Sequence, residues 1–590
     1  MNLRSVIAAA AVAVLSGGAA AQTIYPLDRA EILTGAKFDL KVEFPGTPDP
    51  RDLRVTINGE DAGKVFGKPP QLTADEDGSG QLAYWVKGVS LPSAGKIKVE
   101  AVAGELKSSV TWEAFDTPKG RIAKNVILFI GDGMSMAHRT AARMLSKGIV
   151  EGRYGGELAI DDMPYMALVS TAGTDSIVTD SANSMSAYTT GHKSCVNAMG
   201  VYCARNKGSL DHPRVETIAE LVKRKLGLAI GVVTNTEIED ATPAAMVAHT
   251  RRRSDYDDIV KFFYAAQPEV MMGGGTPNFL PESAADGRRK DDADYLAKFK
   301  SAGYAFAATN TEMLALAAKP ETKKLLGLYN PLNVDGVLDR KFLKQGLVSK
   351  YPDQPDLTDQ VRASLQILSR NDKGFLLMVE SGRIDKYSHS LDWERAVYDT
   401  IMLDNAVKVA KDFAGDRNDT LIIVTPDHAH PISLIGTYDD AGGENLRDKL
   451  ALYDKAKFPS YQAPDAEGYP PSVWVSRRLA VVFAAFPDHC DAGKPYVAGE
   501  NVPAIAAPQT PEEAADPKAK KVMVANEQNC KIPGAARRMG NLPFTADRGI
   551  HSGDDVVLTA MGPGADAFHG RIDNTRVFRA MVVALGLGGL

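Results

Sequence analysis

Asn125-Val126-Ile127-Leu128-Phe129-Ile130-Gly131-Asp132-Gly133-Met134 holds an unbroken apolar run that stops at an acidic, glycine-flanked turn. A strand with one face in water alternates polar and apolar residues. A continuous run of this length reads instead as a strand buried on both faces, as in a parallel sheet covered by helices. The same texture recurs at 227–233, 375–379 and 421–425, with helix-like segments between. That alternation predicts a doubly wound α/β fold, a three-layer sandwich of helices on both sides of one sheet.

The carboxyl ends of these four runs carry residues for which a core has no use. The first ends at Asp132; the second leads through Thr234 to Glu239-Asp240-Ala241-Thr242-Pro243; the third ends in Glu380, followed by Asp385 and His389; the fourth runs into Pro426-Asp427-His428-Ala429-His430. Ligands in open α/β sheets sit beyond the carboxyl ends of the strands. Carboxylates converging there repel one another unless cations neutralise them. An isolated Asp-Gly is ordinarily a turn, and an i,i+4 Asp–His pair occurs on many helix surfaces. The coincidence at successive strand ends carries the inference.

Thr179-Asp180-Ser181-Ala182-Asn183-Ser184 supplies the remaining chemistry. Thr179 and Asp180 are good N-cap types, and a helix-compatible stretch follows as far as Gly191. A serine at a helix N-terminus meets backbone N–H groups that favour a phosphate. A cation at its oxygen would lower the hydroxyl pKa without a histidine base. Read alone, the segment is a capped, hydroxyl-rich surface helix.

The chain has 590 residues, 44% hydrophobic and 24% charged, with a net charge of −6. That length predicts at least two domains, and the acidic balance lacks a nucleic-acid footprint. Residues 1–21 read as a secretory signal peptide: Arg4, an apolar stretch, then Ala19-Ala20-Ala21 before Gln22. No later stretch reaches the ~18 apolar residues of a membrane span. A periplasmic or secreted protein is expected. Its four cysteines allow three pairings; the sequence-local one joins Cys195 to Cys203 and Cys490 to Cys530, the alternative being free buried thiols. Residues 22–116 alternate polar and apolar (38–42 and 96–102) with turn signals at Asn58-Gly59 and Asp77-Gly78, and predict a β-sandwich accessory domain of immunoglobulin-like size. Two stretches, 254–359 and 431–550, read as insertions into the catalytic domain at 121–590.

The segments Thr179-Asp180-Ser181-Ala182, Glu239-Asp240-Ala241-Thr242-Pro243, Ile384-Asp385-Lys386 with His389, Thr425-Pro426-Asp427-His428-Ala429-His430 and His551-Ser552-Gly553 strongly resemble the serine-nucleophile alkaline phosphatases. The resemblance runs from about Asn125 to the C-terminus and implies that family's three-layer fold. It implies hydrolysis of small phosphate monoesters through a phosphoserine on Ser181, and a homodimer. One Zn2+ would be held by Asp385, His389 and His551, and a second by Asp132, Asp427 and His428. One Mg2+ would be held by Asp132, Thr242 and Glu380. Asp240, Lys386 and His430 would support these groups from behind. A guanidinium is needed to grip phosphate, and spacing in similar phosphatases favours Arg253 over Arg251 and Arg252, all three expected at the end of a helix starting at Pro243.

The N-terminal β-domain and the long stretch between His428 and His551 depart from the simplest bacterial members. A sulfatase would need Pro and Arg after its nucleophile, and Ser181 is followed by Ala182, Asn183 and Ser184. A phosphodiesterase of the same superfamily and a non-catalytic metal- or phosphate-binding protein are the competing readings. Monoester-over-diester turnover separates the first; any turnover excludes the second.

Overall fold

The computed structural model describes residues 22–495, 502–511 and 519–589. The expected signal peptide lies outside them. A ten-stranded sheet forms the centre, in the order Ala305–Ala307, Leu325–Leu328, Val270–Gly274, Ala229–Glu237, Phe375–Ser381, Asn125–Gly131, Thr420–Thr425, Val556–Met561, Tyr165–Ser170, His569–Asp573. Neighbours pair in parallel except around Val556–Met561, which runs against both of its partners.

Successive residues of the central strands enter opposite cores, which is why these strands carry no polar face. Val126, Leu128 and Ile130 join one apolar cluster with Met378, Ile423 and the Ile218–Leu226 and Thr575–Ala584 helices. Ile127 and Phe129 join the other with Leu377, Val424 and the Leu357–Leu368 and Trp393–Ala414 helices. The three-layer α/β architecture read from the sequence is therefore what forms.

The stretch 254–359 is not an insertion. Its strands Val270–Gly274, Ala305–Ala307 and Leu325–Leu328 extend the central sheet, and its short strands and glycines had obscured their membership. Within 431–550, by contrast, the described strands pair only with one another, in small sheets outside the central one.

Residues 23–115 fold into a four-stranded and a five-stranded sheet whose inner faces share one core containing Leu40, Val42, Val99 and Trp112. One expectation fails here. The Phe38–Phe44 strand is buried on both faces rather than half-exposed. Its polar residues face the segment 203–214: Asp39 Oδ2 accepts from Arg214 N at 3.1 Å, Glu43 Oε1 from Arg205 N at 2.8 Å, and Lys41 bonds Asn206. Alternation correctly marked a strand, but its polar face meets protein instead of water. Both disulfides pair as the sequence-local reading had them, Cys195 with Cys203 and Cys490 with Cys530.

Arg395, 1% exposed, holds Asp339 through two 2.9 Å bonds and also bonds Asp392, the N-cap of the Trp393–Ala414 helix. Removing the guanidinium strands buried carboxylates, so Arg395→Ala is expected to destabilise the fold by about 3–5 kcal/mol. Urea denaturation midpoints check this; a shift equal to that of an exposed arginine would reject it.

Candidate active site

Asp180 caps the Ser181–Thr190 helix reciprocally: its Oδ1 accepts from Asn183 N at 3.2 Å, and Asn183 Oδ1 accepts from Asp180 N at 3.1 Å. Gly191, at φ 75°, ends the helix in the left-handed conformation that glycine adopts at least cost. Ser181 is thereby fixed at the first helical position and buried. Its Oγ lies 3.3 Å from His428 Nε2 and 3.5 Å from Asp132 Oδ2.

The Arg383–His389 helix presents Asp385 and His389 one turn apart on one face. Asp385 Oδ1 is 3.3 Å from His389 Nε2, 3.2 Å from His551 Nε2 and 2.7 Å from His430 Nε2. His389 Nδ1 donates to Gly549 O at 2.7 Å and His551 Nδ1 to Thr179 O at 2.8 Å. Carbonyls only accept, so both rings carry the proton on Nδ1 when neutral and turn Nε2 lone pairs inward. Those two Nε2 atoms are 3.0 Å apart. Facing lone pairs at that distance require a proton or a cation between them. Burial lowers the His389 pKa to about 4, whereas the Asp385 carboxylate outweighs burial and raises that of His551, so a proton there would belong to His551.

Asp132, Asp427 and His428 come from the ends of two adjacent strands. His428 Nε2 is 3.2 Å from Asp132 Oδ1 and 3.4 Å from Asp427 Oδ2. Asp427 Oδ1 is held by Gly133 N at 3.1 Å and His428 N at 2.9 Å. Asp132 Oδ1, Asp427 Oδ2 and Thr242 Oγ1 are buried without a hydrogen-bond partner. Burial, with the neighbouring charges of Asp427, Asp385 and Glu380, pushes the Asp132 pKa well up; burial foremost takes Asp427 to about 6 and Glu380 to about 7. Orphaned oxygens and mutually repelling carboxylates fit a site for divalent cations. Donor atoms of Asp385, His389, His430 and His551 lie within 4.8 Å of one another, as do those of Asp132, Asp385 and His428. Asp385 thus stands between the two groups, and His430, expected behind the ligands, lies at ligand range itself. Glu380 Oε2 accepts from the hydroxyls of Thr234 and Thr236, a pairing not anticipated from sequence.

The expected helix from Pro243 to the three arginines does not form. A single turn, Ala241–Ala244, is followed by tight turns, and Thr250 pairs with Met199 instead. Arg253 consequently leaves a loop, its Nη1 3.2 Å from Asp180 Oδ2 and its Nη2 2.8 Å from Asp240 Oδ1. Lys386 Nζ binds the other Asp240 oxygen at 2.7 Å. Burial opposes an ionised Asp240, but Lys386 and Arg253 overcome it and hold its pKa far below the usual carboxylate range. Arg251 turns away to Val196 O, and Arg252 only approaches Asp255, at 3.9 Å. His249, off any helix, is tied to Gly200 O and Glu220 and lies apart from the cluster.

Asp180 was legible as a cap but not as the partner of Arg253. Gly133 was also missed: its φ is +64°, and a Cβ there would come within 2.6 Å of His430 Cδ2, so only glycine lets the Asp132 turn lie under the histidines.

The family model for alkaline phosphatase matches residues 123–587. The chain is 30% identical to the tissue-nonspecific alkaline phosphatase of Rattus norvegicus over 62% of its own length and 74% of that protein. It is 29% identical to the alkaline phosphatase of Gadus morhua over 79% of its length and 92% of the relative. Among solved structures, Thermus thermophilus alkaline phosphatase shares the fold with a TM-score of 0.54 at 23% identity, covering 80% of this chain and 93% of that one. A three-layer α/β chain with a buried serine among carboxylates and imidazoles is in the class of hydrolases. This chain belongs to the alkaline phosphatase family, and it is a phosphatase.

Proposed function

We propose that the protein hydrolyses phosphate monoesters through a covalent phosphoserine on Ser181. The observation that carries this is the convergence of Ser181 Oγ with Asp132 Oδ2 and His428 Nε2 on one side, and with the Asp180–Arg253 pair at its helix cap on the other. Asp132 Oδ2 orients the serine hydroxyl. Arg253, positioned by two carboxylates, grips two phosphate oxygens. Ser181 Oγ bonds to phosphorus as the ester P–O bond breaks, and the alcohol departs with the proton the serine gives up. Water then attacks phosphorus, the P–Oγ bond breaks, and phosphate is released as the serine oxygen takes back a proton from the water.

Asp385, His389 and His551 would hold one zinc; Asp132, Asp427 and His428 a second; Asp132, Thr242 and Glu380 a magnesium. Imidazole with carboxylate suits zinc, and oxygen donors suit magnesium. Bound there, the cations would stabilise negative charge developing on the serine, the phosphoryl group and the departing oxygen. The paired cysteines fit an oxidising compartment, in keeping with a periplasmic or secreted enzyme, and the sheets of residues 23–115 would be an accessory domain.

Turnover of p-nitrophenyl phosphate with metal analysis tests the reading: preference for the diester bis-p-nitrophenyl phosphate, or no turnover, would reject it. Arg253→Ala is expected to weaken binding of substrate and of inorganic phosphate by roughly 1.5–3 kcal/mol, about 10- to 150-fold. Arg251→Ala and Arg252→Ala should do much less with this ester, which carries a single phosphate group, as KM and phosphate inhibition constants will report. Equal effects from all three would mean a diffuse basic field and no clamp.

A further inference from the structure

Beside Arg253 opens a groove of about 430 Å3 whose walls include Asn197, Lys207, Arg251 and Arg252. No carboxylate lines it. Arg253 is neutralised by Asp180 and Asp240, but its neighbours are not compensated in the same way. Among the described residues neither Lys207 nor Arg251 has a carboxylate within 4.0 Å, and Arg252 has only Asp255, at 3.9 Å. In a chain of net charge −6, cations gathered without counter-charges on one concave surface raise the local potential toward anions.

The groove is braced, which a random basic patch is not. The Cys195–Cys203 disulfide closes the segment that carries Asn197. Asn197 holds a left-handed φ of 71° and donates its N–H to Asp180 Oδ1 at 3.2 Å, tying the wall to the cap of the Ser181 helix. Arg251 is fixed on both sides, its Nη1 on Val196 O at 2.8 Å and its backbone N–H on Ser209 O at 2.7 Å. The segment leading to Lys207 is gripped by the N-terminal sheets: Tyr25 Oη donates to Cys203 O at 3.0 Å, Glu43 holds Arg205 N and Lys41 bonds Asn206. Lys207 itself stands over Gly78, where a Cβ would come within 2.7 Å of its Nζ.

We propose that this groove is a subsite for a second phosphate group on the substrate. Substrates whose transferred phosphate is accompanied by another, whether joined to it as in a nucleoside diphosphate or elsewhere as in a bisphosphate ester, are then preferred to those that carry none. The inference rests on the phosphomonoesterase reading above and deepens it. A phosphate brings close to two negative charges and several strong acceptor oxygens, which match guanidinium forks and an ammonium group. The polar face of the Phe38–Phe44 strand acquires a purpose as well, since it steadies the segment that presents Lys207.

The test compares kcat/KM for p-nitrophenyl phosphate, ADP and fructose 1,6-bisphosphate in the metal-loaded enzyme at about 0.15 M salt, where long-range steering is screened. The variants are Lys207→Ala/Arg252→Ala and Arg252→Glu, exposed positions whose replacement removes no buried contact. The double variant should lose about 10-fold in kcat/KM for at least one two-phosphate substrate, and Arg252→Glu more, while p-nitrophenyl phosphate changes by less than about two-fold. A loss confined to ADP places the second phosphate adjacent to the first; one confined to the bisphosphate places it further along; either supports the subsite. Parallel losses on all three substrates, or none, would overturn it. Failure of the wild-type enzyme to turn over p-nitrophenyl phosphate would instead sink the parent reading.

Discussion

Ser181→Ala is expected to eliminate the phosphoenzyme and to lower kcat by at least about 10³-fold, because Ser181 Oγ is the hydroxyl set against Asp132 and His428, while Ser184 in the same turn is committed to Asp427 O. The fold should be retained. Ser181 Oγ makes only two long contacts, at 3.3 and 3.5 Å, and the helix is capped by Asp180 and Asn183, which the substitution leaves intact. Metal content should likewise persist, since the carboxylate and imidazole donors are separate residues. Acid-quenched labelling with a 32P monoester reads the intermediate directly. A labelled protein, or wild-type kcat, in the alanine variant would show that another residue is the nucleophile.

The second large effect is at His551. It lies on an irregular segment before the Val556–Met561 strand and is aimed by a single bond, Nδ1 to Thr179 O at 2.8 Å. Its Nε2 stands 3.2 Å from Asp385 Oδ1 and 3.0 Å from His389 Nε2, so His551→Ala removes one of the donors of that cluster. Occupancy of the zinc proposed for Asp385, His389 and His551 should fall and activity drop by about 10- to 100-fold or more, with partial recovery in excess zinc. The metal proposed for Asp132, Asp427 and His428 should be retained better. Metal analysis after dialysis distinguishes the two. Equal loss of both metals, or loss of neither, would reject His551 as a donor to the first. The same variant probes His430: its Nε2 is 2.7 Å from Asp385, so if His430 itself serves as a ligand the zinc loss will be shallow.

Much of the fold was written in local sequence. Runs such as 126–130 and 421–424 are apolar at every position because alternate side chains enter two different cores, and no one-sided sheet would require that. Helix limits were equally local: Asp180 and Gly191 act on backbone groups within one turn of themselves. Where the reading went astray, a distant partner had changed the meaning of a local pattern. The polar residues Asp39, Lys41 and Glu43 look solvated until the 203–214 segment lies against them. The strands in 254–359 are short, and only the lateral pairing of Val270–Gly274 with Ala229–Glu237, continued outward by Leu325–Leu328 and Ala305–Ala307, makes them part of the central sheet.

The donor set shows the same division. The sequence by itself determined which groups can serve (a cappable serine, carboxylates at strand ends, histidines with free nitrogens), because side-chain chemistry and strand burial are properties of the residues and their near neighbours. Tertiary structure decided which of them meet, which the residues themselves, apart from the family resemblance, left open. Arg251, Arg252 and Arg253 are chemically identical, yet only Arg253 reaches Asp180 and Asp240, because the turn after Ala244 and the Thr250–Met199 bridge set the direction in which each side chain leaves the backbone. His551 is 162 residues from His389, and their Nε2 atoms come to 3.0 Å only through long-range packing, in which Thr179 O and Gly549 O aim the two rings at one point. The physical chemistry of neither residue's neighbourhood along the chain encodes that meeting, which the sequence suggested only through the resemblance of its motifs to a family.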